Sequence, residues 1–472
     1  MNVTVDPLKA TTADLPFPED FVLGVATSAY QIEGSVNADG RGRSIWDTFS
    51  HSHGATHDGD TGDIAVDHYR RYLQDIRLME ILGMRAYRFS VSWPRVLPDG
   101  RGSVNQRGLD FYRRLADALR EAGIQPVATL YHWDLPQSLQ DQGGWVARST
   151  AEAFARYAEV VAEGLGGRVE SYITLNEPWC SAFLGYASGV HAPGIKDPRQ
   201  AAAAAHHLLL GHGLAVPALR SHGATDVAIT LNLFPVTPAG STEADLEAAR
   251  AVDGLQNRLW LDPVLTGAYP DDVQRRLRTV SDLSHVRSAD LEIINAPLDA
   301  LGVNYYTRHT VMAAPERPPA AAATPWVAAG DVKFVEVDGK HSTMGWAIDD
   351  SGLLEVLLRL KREYPPIPLK ITENGVAFDD VEENGRVDDV ERIAYIDGHL
   401  RSVRKAIDQG VDVRAYFVWS LLDNFEWSFG YSKRFGLVFV DFESQSRIPK
   451  SSASWYRNVI AQGGLSNGDL RS

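Results

Sequence analysis

Apolar and polar positions along the chain follow two alternating periods. Short runs rich in β-branched and aromatic residues, at roughly 21–31, 84–93, 124–133, 171–177, 226–234, 299–307, 368–373 and 413–421, read as eight strands. Between them the apolar spacing lengthens to three and four residues. In 151–165, Phe154, Tyr157, Val161 and Leu165 share one helical face, and in 388–410 the same holds for Ile393, Ile396, Leu400, Val403 and Ile407. The latter helix is expected to open with Asp388 and Glu391 in capping-box spacing and to close at Gly410. A third starts after Ser351, carries Leu353, Leu354, Leu357 and Leu360, and ends before Pro365-Pro366. Strand alternating with helix eight times predicts an α/β chain folded as a (β/α)8 TIM barrel with elaborated active-site loops.

Length changes this picture little. A chain of 472 residues would ordinarily suggest about three domains, but barrels with long loops exceed that size, and no linker or internal repeat divides the sequence. The expectation is one catalytic barrel over residues 1–472. The one compositional break is 311–345, where Pro315 to Gly330 is rich in Pro and Ala. It follows the sixth strand, so it reads as a surface excursion on the site rim with a small hairpin. A plain connecting loop is the competing reading.

Composition and charge exclude several function classes. Sixty-one acidic against 46 basic residues leave a net charge of −15, which disfavours nucleic acid and other polyanions as partners. A single cysteine, Cys180, excludes an intramolecular disulfide framework and any multi-cysteine metal site. Met1 to Pro16 lacks an apolar signal core, and no apolar run approaches about 20 residues, so a soluble cytoplasmic protein without membrane partners is expected. The sequon Asn2-Val3-Thr4 is then read as coincidence.

Two carboxylates stand out against this frame. Glu177 ends Ser171-Tyr172-Ile173-Thr174-Leu175-Asn176 and is followed by Pro178; Glu373 ends Pro368-Leu369-Lys370-Ile371-Thr372 and is followed by Asn374-Gly375. Each therefore lies at the C-terminal end of a strand, where barrel active sites are built. Glycosidic bond cleavage needs one carboxylic acid to protonate the leaving oxygen and one carboxylate to attack or to activate water. Other strand ends add Gln31, Arg88, His132, Trp133, Asn176, Asn304, Tyr306 and Trp419, with Glu426 and Trp427 in the last loop. Amide, imidazole and carboxylate groups match sugar hydroxyls, and tryptophan offers a platform for the flat CH faces.

Thr174-Leu175-Asn176-Glu177-Pro178 and Ile371-Thr372-Glu373-Asn374-Gly375 resemble the two signature motifs of family 1 glycoside hydrolases, the retaining β-glucosidase type. Phe21 to Gly34, Arg88-Phe89-Ser90, Tyr131-His132-Trp133-Asp134, Gly302-Val303-Asn304-Tyr305-Tyr306 and Trp419 to Trp427 resemble further motifs of that family, in family order from about Phe17 to Tyr456. The resemblance implies hydrolysis of terminal non-reducing β-D-glucosides, small carbohydrates such as aryl glucosides and cello-oligosaccharides, by double displacement and without metal or cofactor. It implies Glu373 as nucleophile, kept ionised by Arg88 and Tyr306, and Glu177 as acid and base, its pKa raised by the nucleophile's charge. Gln31, His132, Asn176, Trp419, Glu426 and Trp427 would hold the sugar and Asn304 would support it. Trp133, Trp179 and Trp346 would line the aglycone side.

Alternatives stay open at this stage. A transglycosylase, or a broad β-fucosidase and β-galactosidase, would use the same residues. A non-catalytic β-glycoside-binding module would be signalled by loss of a carboxylate, and both are present. A phospho-glycosidase would need cations where Glu426 is expected, and the charge of Glu426 should repel phosphate. Cys180, Trp93 and Trp145 read as packing. His206, His207 and His212 read as packing or solvent-facing. His51-Ser52-His53 has metal-ligand spacing but lies in a Gly- and Asp-rich loop rather than at a strand end.

Overall fold

The computed structural model describes residues 13–316 and 324–467. Each of the eight predicted runs coincides with one strand of a closed parallel barrel, the seventh strand reaching one residue past its run: β1 (Val22–Ala26), β2 (Ala86–Ser90), β3 (Gln125–Tyr131), β4 (Ser171–Asn176), β5 (Asp226–Asn232), β6 (Ala300–Asn304), β7 (Leu369–Asn374) and β8 (Val413–Trp419). Neighbours in the ring are neighbours in the chain, and β8 closes on β1 with Ala415 opposite Val22. A strand covered by helices on one face and barrel lumen on the other is buried on both. That is why these runs hold few charged residues and need not alternate strictly between apolar and polar. All six residues of β4, for example, are buried.

Helices α1 (His68–Ile81), α2 (Gln106–Glu121), α3 (Arg148–Leu165), α4 (Pro198–Arg220), α5 (Glu243–Asp253), α6 (Asp350–Glu363), α7 (Val390–Asp408) and α8 (Ser451–Gln462) follow the successive strands. Helix α6 begins one residue before Ser351, capped by Asp349, whose Oδ1 accepts from the Ser351 N–H at 3.1 Å. The capping box expected at Asp388 and Glu391 does not form. Asp389 takes the cap position of α7, and its carboxylate instead accepts from the Ser452 N–H at 2.8 Å, the Ser452 hydroxyl at 2.6 Å and Arg392. A tertiary partner has displaced the local one.

Contrary to the reading that no apolar run is long enough, α4 is a 23-residue helix apolar enough by length and composition to cross a membrane. Of its most apolar 18-residue window, 83% is buried inside the protein. It packs on α3 as a core helix.

Helix α4 also carries His206, His207 and His212, and all three are buried. His206 lies between Asp290 (2.8 Å) and the Tyr269 hydroxyl (3.0 Å), His207 meets the Trp145 carbonyl at 3.0 Å, and the His285 ring lies 5.5 and 6.0 Å from them. Arg148 pairs with Asp290 on the same side. Burial, with the neighbouring imidazoles, pushes His207 and His285 down to about 4, so both are held neutral. The unfolded chain takes up these protons near pH ~6.5, so the folded state binds fewer protons between about 6.5 and about 4 and loses stability as pH falls through that window. His207→Gln should flatten this slope by up to about 1.4 kcal/mol per pH unit. Denaturant titrations at several pH values check it, and an unchanged slope would refute it.

The excursion after β6 is a hairpin. His309–Ala313 pairs antiparallel with Val332–Phe334 and parallel with Val236–Pro238. Residues 317–323 of the Pro- and Ala-rich stretch, and the Asn2 sequon, lie outside the described residues. The loop after β8 is anchored from below by Asp423, which accepts from Lys450 at 2.8 Å, Arg434 at 2.7 Å and the Gly436 N–H at 2.9 Å. These bonds hold the segment that carries Glu426 and Trp427.

Candidate active site

The strand ends bring Arg88, Asn176, Glu177, Asn304, Tyr306 and Glu373 into one buried network at the C-terminal mouth of the barrel. Arg88, fully buried, reaches across the lumen from β2. Its Nη1 donates to Glu373 Oε1 at 2.6 Å and to the Thr372 carbonyl at 3.1 Å, its Nη2 to Asn176 Oδ1 at 2.7 Å, and its Nε to Thr129 Oγ1 at 3.0 Å. Tyr306 donates its hydroxyl to the other Glu373 oxygen at 2.7 Å. Burial raises the Tyr306 phenol well above its usual value, so it stays a donor.

Glu177 has different company. Asn304 Nδ2 donates to its Oε1 at 2.7 Å and the Cys180 thiol lies against Oε2 at 3.2 Å. Burial first, and the charge of Glu373 second, raise the Glu177 carboxyl. The expected cause was the neighbouring charge alone; desolvation is the larger one. Burial also lifts Glu373, but Arg88 and Tyr306, which touch Glu373 and not Glu177, oppose it with a direct ion pair and a hydrogen bond, while Arg88 acts on Glu177 only more weakly from a distance. One proton shared by the pair therefore resides on Glu177 and leaves Glu373 ionised.

Local backbone geometry aims these groups. Trp133 (φ +80°), Glu177 (φ +44°) and Trp427 (φ +51°) occupy the left-handed region, rare for bulky residues and costing about 1–3 kcal/mol each. Gly375 closes the second motif because β7 must pass beneath Trp419: a Cβ there would stand 1.8 Å from the Trp419 carbonyl oxygen.

Beside the carboxyl pair lies a second group. Gln31 Nε2 donates to the Phe425 carbonyl at 2.9 Å, Asn424 Oδ1 at 3.0 Å and Glu426 Oε2 at 3.3 Å. His132 stacks on Trp419 (5.6 Å, 19°) and Trp427 (6.0 Å, 18°), with Nε2 3.1 Å from Asn176 Nδ2. Burial, with Arg88 nearby, pushes His132 well below the usual imidazole range, so it is neutral. Glu426 is pushed up to about 8 by burial and by Glu373 and Glu177. Gln31, which donates to it, opposes that rise and favours the carboxylate.

The three tryptophans expected on the aglycone side separate. Trp346 packs on Tyr306 at 5.3 Å, and Trp179, two residues after Glu177, meets Trp326 at 5.2 Å. Trp133 stands with the other group, 4.6 Å from Trp427, its indole N–H taken by the Asn176 carbonyl at 2.9 Å. Sequence reasoning missed Trp326, Asn424 and His191, whose ring lies 5.4 Å from Trp133 and 6.3 Å from Trp427. Trp326, a large aromatic within an Ala- and Pro-rich stretch, was the one legible signal among them. Cys180, read as packing, is in contact with a candidate catalytic carboxyl. His51 pairs with Asp63 at 3.2 Å on the surface.

Comparison with known proteins gives a consistent result. The family model described as "Glycosyl hydrolase family 1" matches residues 13–465. The thermostable β-glucosidase B of Thermobispora bispora is 51% identical over 97% of this chain and 93% of its own, and the bifunctional β-D-glucosidase/β-D-fucosidase of Bifidobacterium breve is 48% identical over 94% and 98%. The β-glucosidase of Thermotoga maritima, solved in complex with deoxynojirimycin, superposes with a TM-score of 0.91 at 47% identity, covering 96% of this chain and all of that one.

Proposed function

The chain belongs to glycosyl hydrolase family 1, and from that membership and the geometry of its buried carboxyl pair we propose how it works as a retaining β-glucosidase. A terminal β-D-glucosyl residue sits with its ring against Trp419 and Trp427 and its hydroxyls on Gln31, His132, Asn176 and Glu426. Glu373 attacks the anomeric carbon as Glu177 gives its proton to the departing oxygen, so the aglycone leaves as an alcohol and a glycosyl ester remains. Esterification removes the charge of Glu373, which lowers the pKa of Glu177. The carboxylate then takes a proton from water as that water attacks the ester, and the sugar leaves with its β configuration retained.

The observation that carries this reading is the unequal environment of two adjoining acids: Glu373 holds a guanidinium and a phenol, Glu177 only an amide and a thiol. Asn304 supports Glu177, and Trp179 and Trp346 flank the aglycone. The name of the Bifidobacterium breve relative favours a second substrate, the β-D-fucoside, which differs from glucose in lacking the 6-hydroxyl and in an axial 4-hydroxyl.

Purified protein should hydrolyse p-nitrophenyl β-D-glucoside undiminished by EDTA and release β-glucose first, while the α-anomer and the 6-phosphoglucoside stay intact. Initial release of α-glucose, followed by proton NMR, would overturn the double displacement. Absence of turnover on every β-glycoside would overturn the assignment.

A further inference from the structure

Beneath the carboxyl pair lie two buried threonines that the mechanism above does not use. The register between β6 and β7 slips between Ile371, opposite Val303, and Glu373, opposite Asn304, so Thr372 has no partner of its own on β6. A strictly alternating strand would send Thr372 and Glu373 to opposite faces; the bulge lets both side chains meet the network inside the barrel. Thr372 donates its hydroxyl to Asn304 Oδ1 at 2.7 Å, and Thr230 on β5 donates to Thr372 Oγ1 at 3.1 Å. The two threonines come from strands on either side of β6, and they meet because β6 carries glycine between them. A Cβ on Gly302 would stand 2.3 Å from Thr230 Oγ1 and 3.0 Å from Thr372 Oγ1.

The direction of every bond in this chain is fixed from its top. The guanidinium of Arg88 only donates, so Asn176 must present Oδ1 to it. Asn304 approaches the same oxygen at 3.1 Å and must therefore present Nδ2, which also reaches Glu177. Its own Oδ1 then points down, where an acceptor in the barrel core needs a donor, and Thr372 supplies one. Thr230 contributes twice, since its carbonyl also accepts the Glu177 backbone N–H at 2.9 Å.

We propose that Thr372 and Thr230 are positioning residues for the acid/base step, holding the Asn304 amide so that its N–H stays on Glu177 Oε1 throughout turnover. With Oε1 accepting that bond, the transferable proton is carried on Oε2. The amide favours the carboxylate form, which Glu177 must reach as base, and so keeps its pKa from rising further. Without Thr372 the amide loses its lower anchor and its Oδ1 is left unpaired, so the contact with Glu177 loosens and the acid titrates higher.

The inference rests on Glu177 being the acid, and one set of measurements separates the two. kcat/KM is followed against pH for phenyl and dinitrophenyl β-glucosides in wild type, Thr372→Val, Thr372→Ser and Thr230→Val, with Glu177→Ala as reference. Thr372→Val should lose about fivefold on the phenyl glucoside, whose leaving group needs the proton, and less than about twofold on the dinitrophenyl glucoside. Its basic limb should move to higher pH. Thr372→Ser should restore both, and Thr230→Val should show the same pattern more weakly, keeping the test intact if Thr372→Val does not fold. Equal losses on both substrates, an unmoved basic limb, or a serine variant no better than valine would overturn the positioning role. Were Glu177→Ala itself blind to the leaving group, the assignment of the acid would fall instead.

Discussion

Glu373→Ala should lose turnover of every β-glucoside by on the order of 10⁵-fold, about 7 kcal/mol of transition-state stabilisation, whatever the leaving group. Every productive path forms the ester on this carboxylate, and protonation by Glu177 cannot replace an absent nucleophile. The variant should remain folded. Arg88 keeps its bonds to Asn176, Thr129 and the Thr372 carbonyl, and removal of one of two adjoining acids relieves a repulsion that raises Glu177 in the native site. Glu373→Gln, which leaves the Tyr306 hydroxyl an acceptor, should be equally inactive and melt within a few degrees of wild type. Steady-state rates on dinitrophenyl β-glucoside, with a thermal melt of the same sample, decide the matter. A loss of only tenfold in a folded variant would remove Glu373 as nucleophile. Mass spectrometry gives a second view, since a slow fluoro-glucoside should add its sugar to the wild-type peptide containing Glu373.

The barrel was legible because its strands are buried on both faces. That condition writes short runs rich in β-branched and aromatic residues into the sequence, and chain breakers such as Pro178 and Gly375 mark the strand ends where function gathers. Local caps were less legible. Asp388 and Glu391 have the spacing of a capping box, yet Asp389 pairs with Ser452, more than sixty residues on, and no short-range pattern carries that information.

Which residues share the site could be read from strand ends, but the direction each side chain takes could not. Trp133 and Glu177 leave their strands through left-handed backbone, so their side chains depart from the alternation that a strand pattern assumes. This is why Trp133 stands with Trp427 and His132 instead of with Trp179. Alternation also places Thr372 opposite Glu373, and only the slipped register shows the two serving one network. Cys180 follows the same logic. After Pro178 the chain enters a π-helical segment, Cys180–Ser188, and the turn from Glu177 into it returns the thiol to the carboxyl three residues earlier.

Glu177→Ala should divide substrates by their leaving groups. Dinitrophenolate departs without a proton, so the first step on that glucoside should stay within about tenfold of wild type, whereas cellobiose or a phenyl glucoside should lose roughly 10³- to 10⁴-fold. The second step needs Glu177 as base for water on every substrate, so the glycosyl ester on Glu373 should accumulate. KM for dinitrophenyl β-glucoside should fall together with kcat, and a burst of phenolate should precede a slow steady state. Azide needs no base. Its addition should raise kcat of the variant by about a hundredfold and yield β-glucosyl azide, the configuration expected when an anion attacks the face opposite Glu373. The pH profile supplies the sign. In wild type kcat/KM falls at alkaline pH as the raised carboxyl of Glu177 loses its proton, and that limb should be absent in the variant. A product of α configuration, or a rate blind to azide with a retained alkaline limb, would show that a different residue serves as acid.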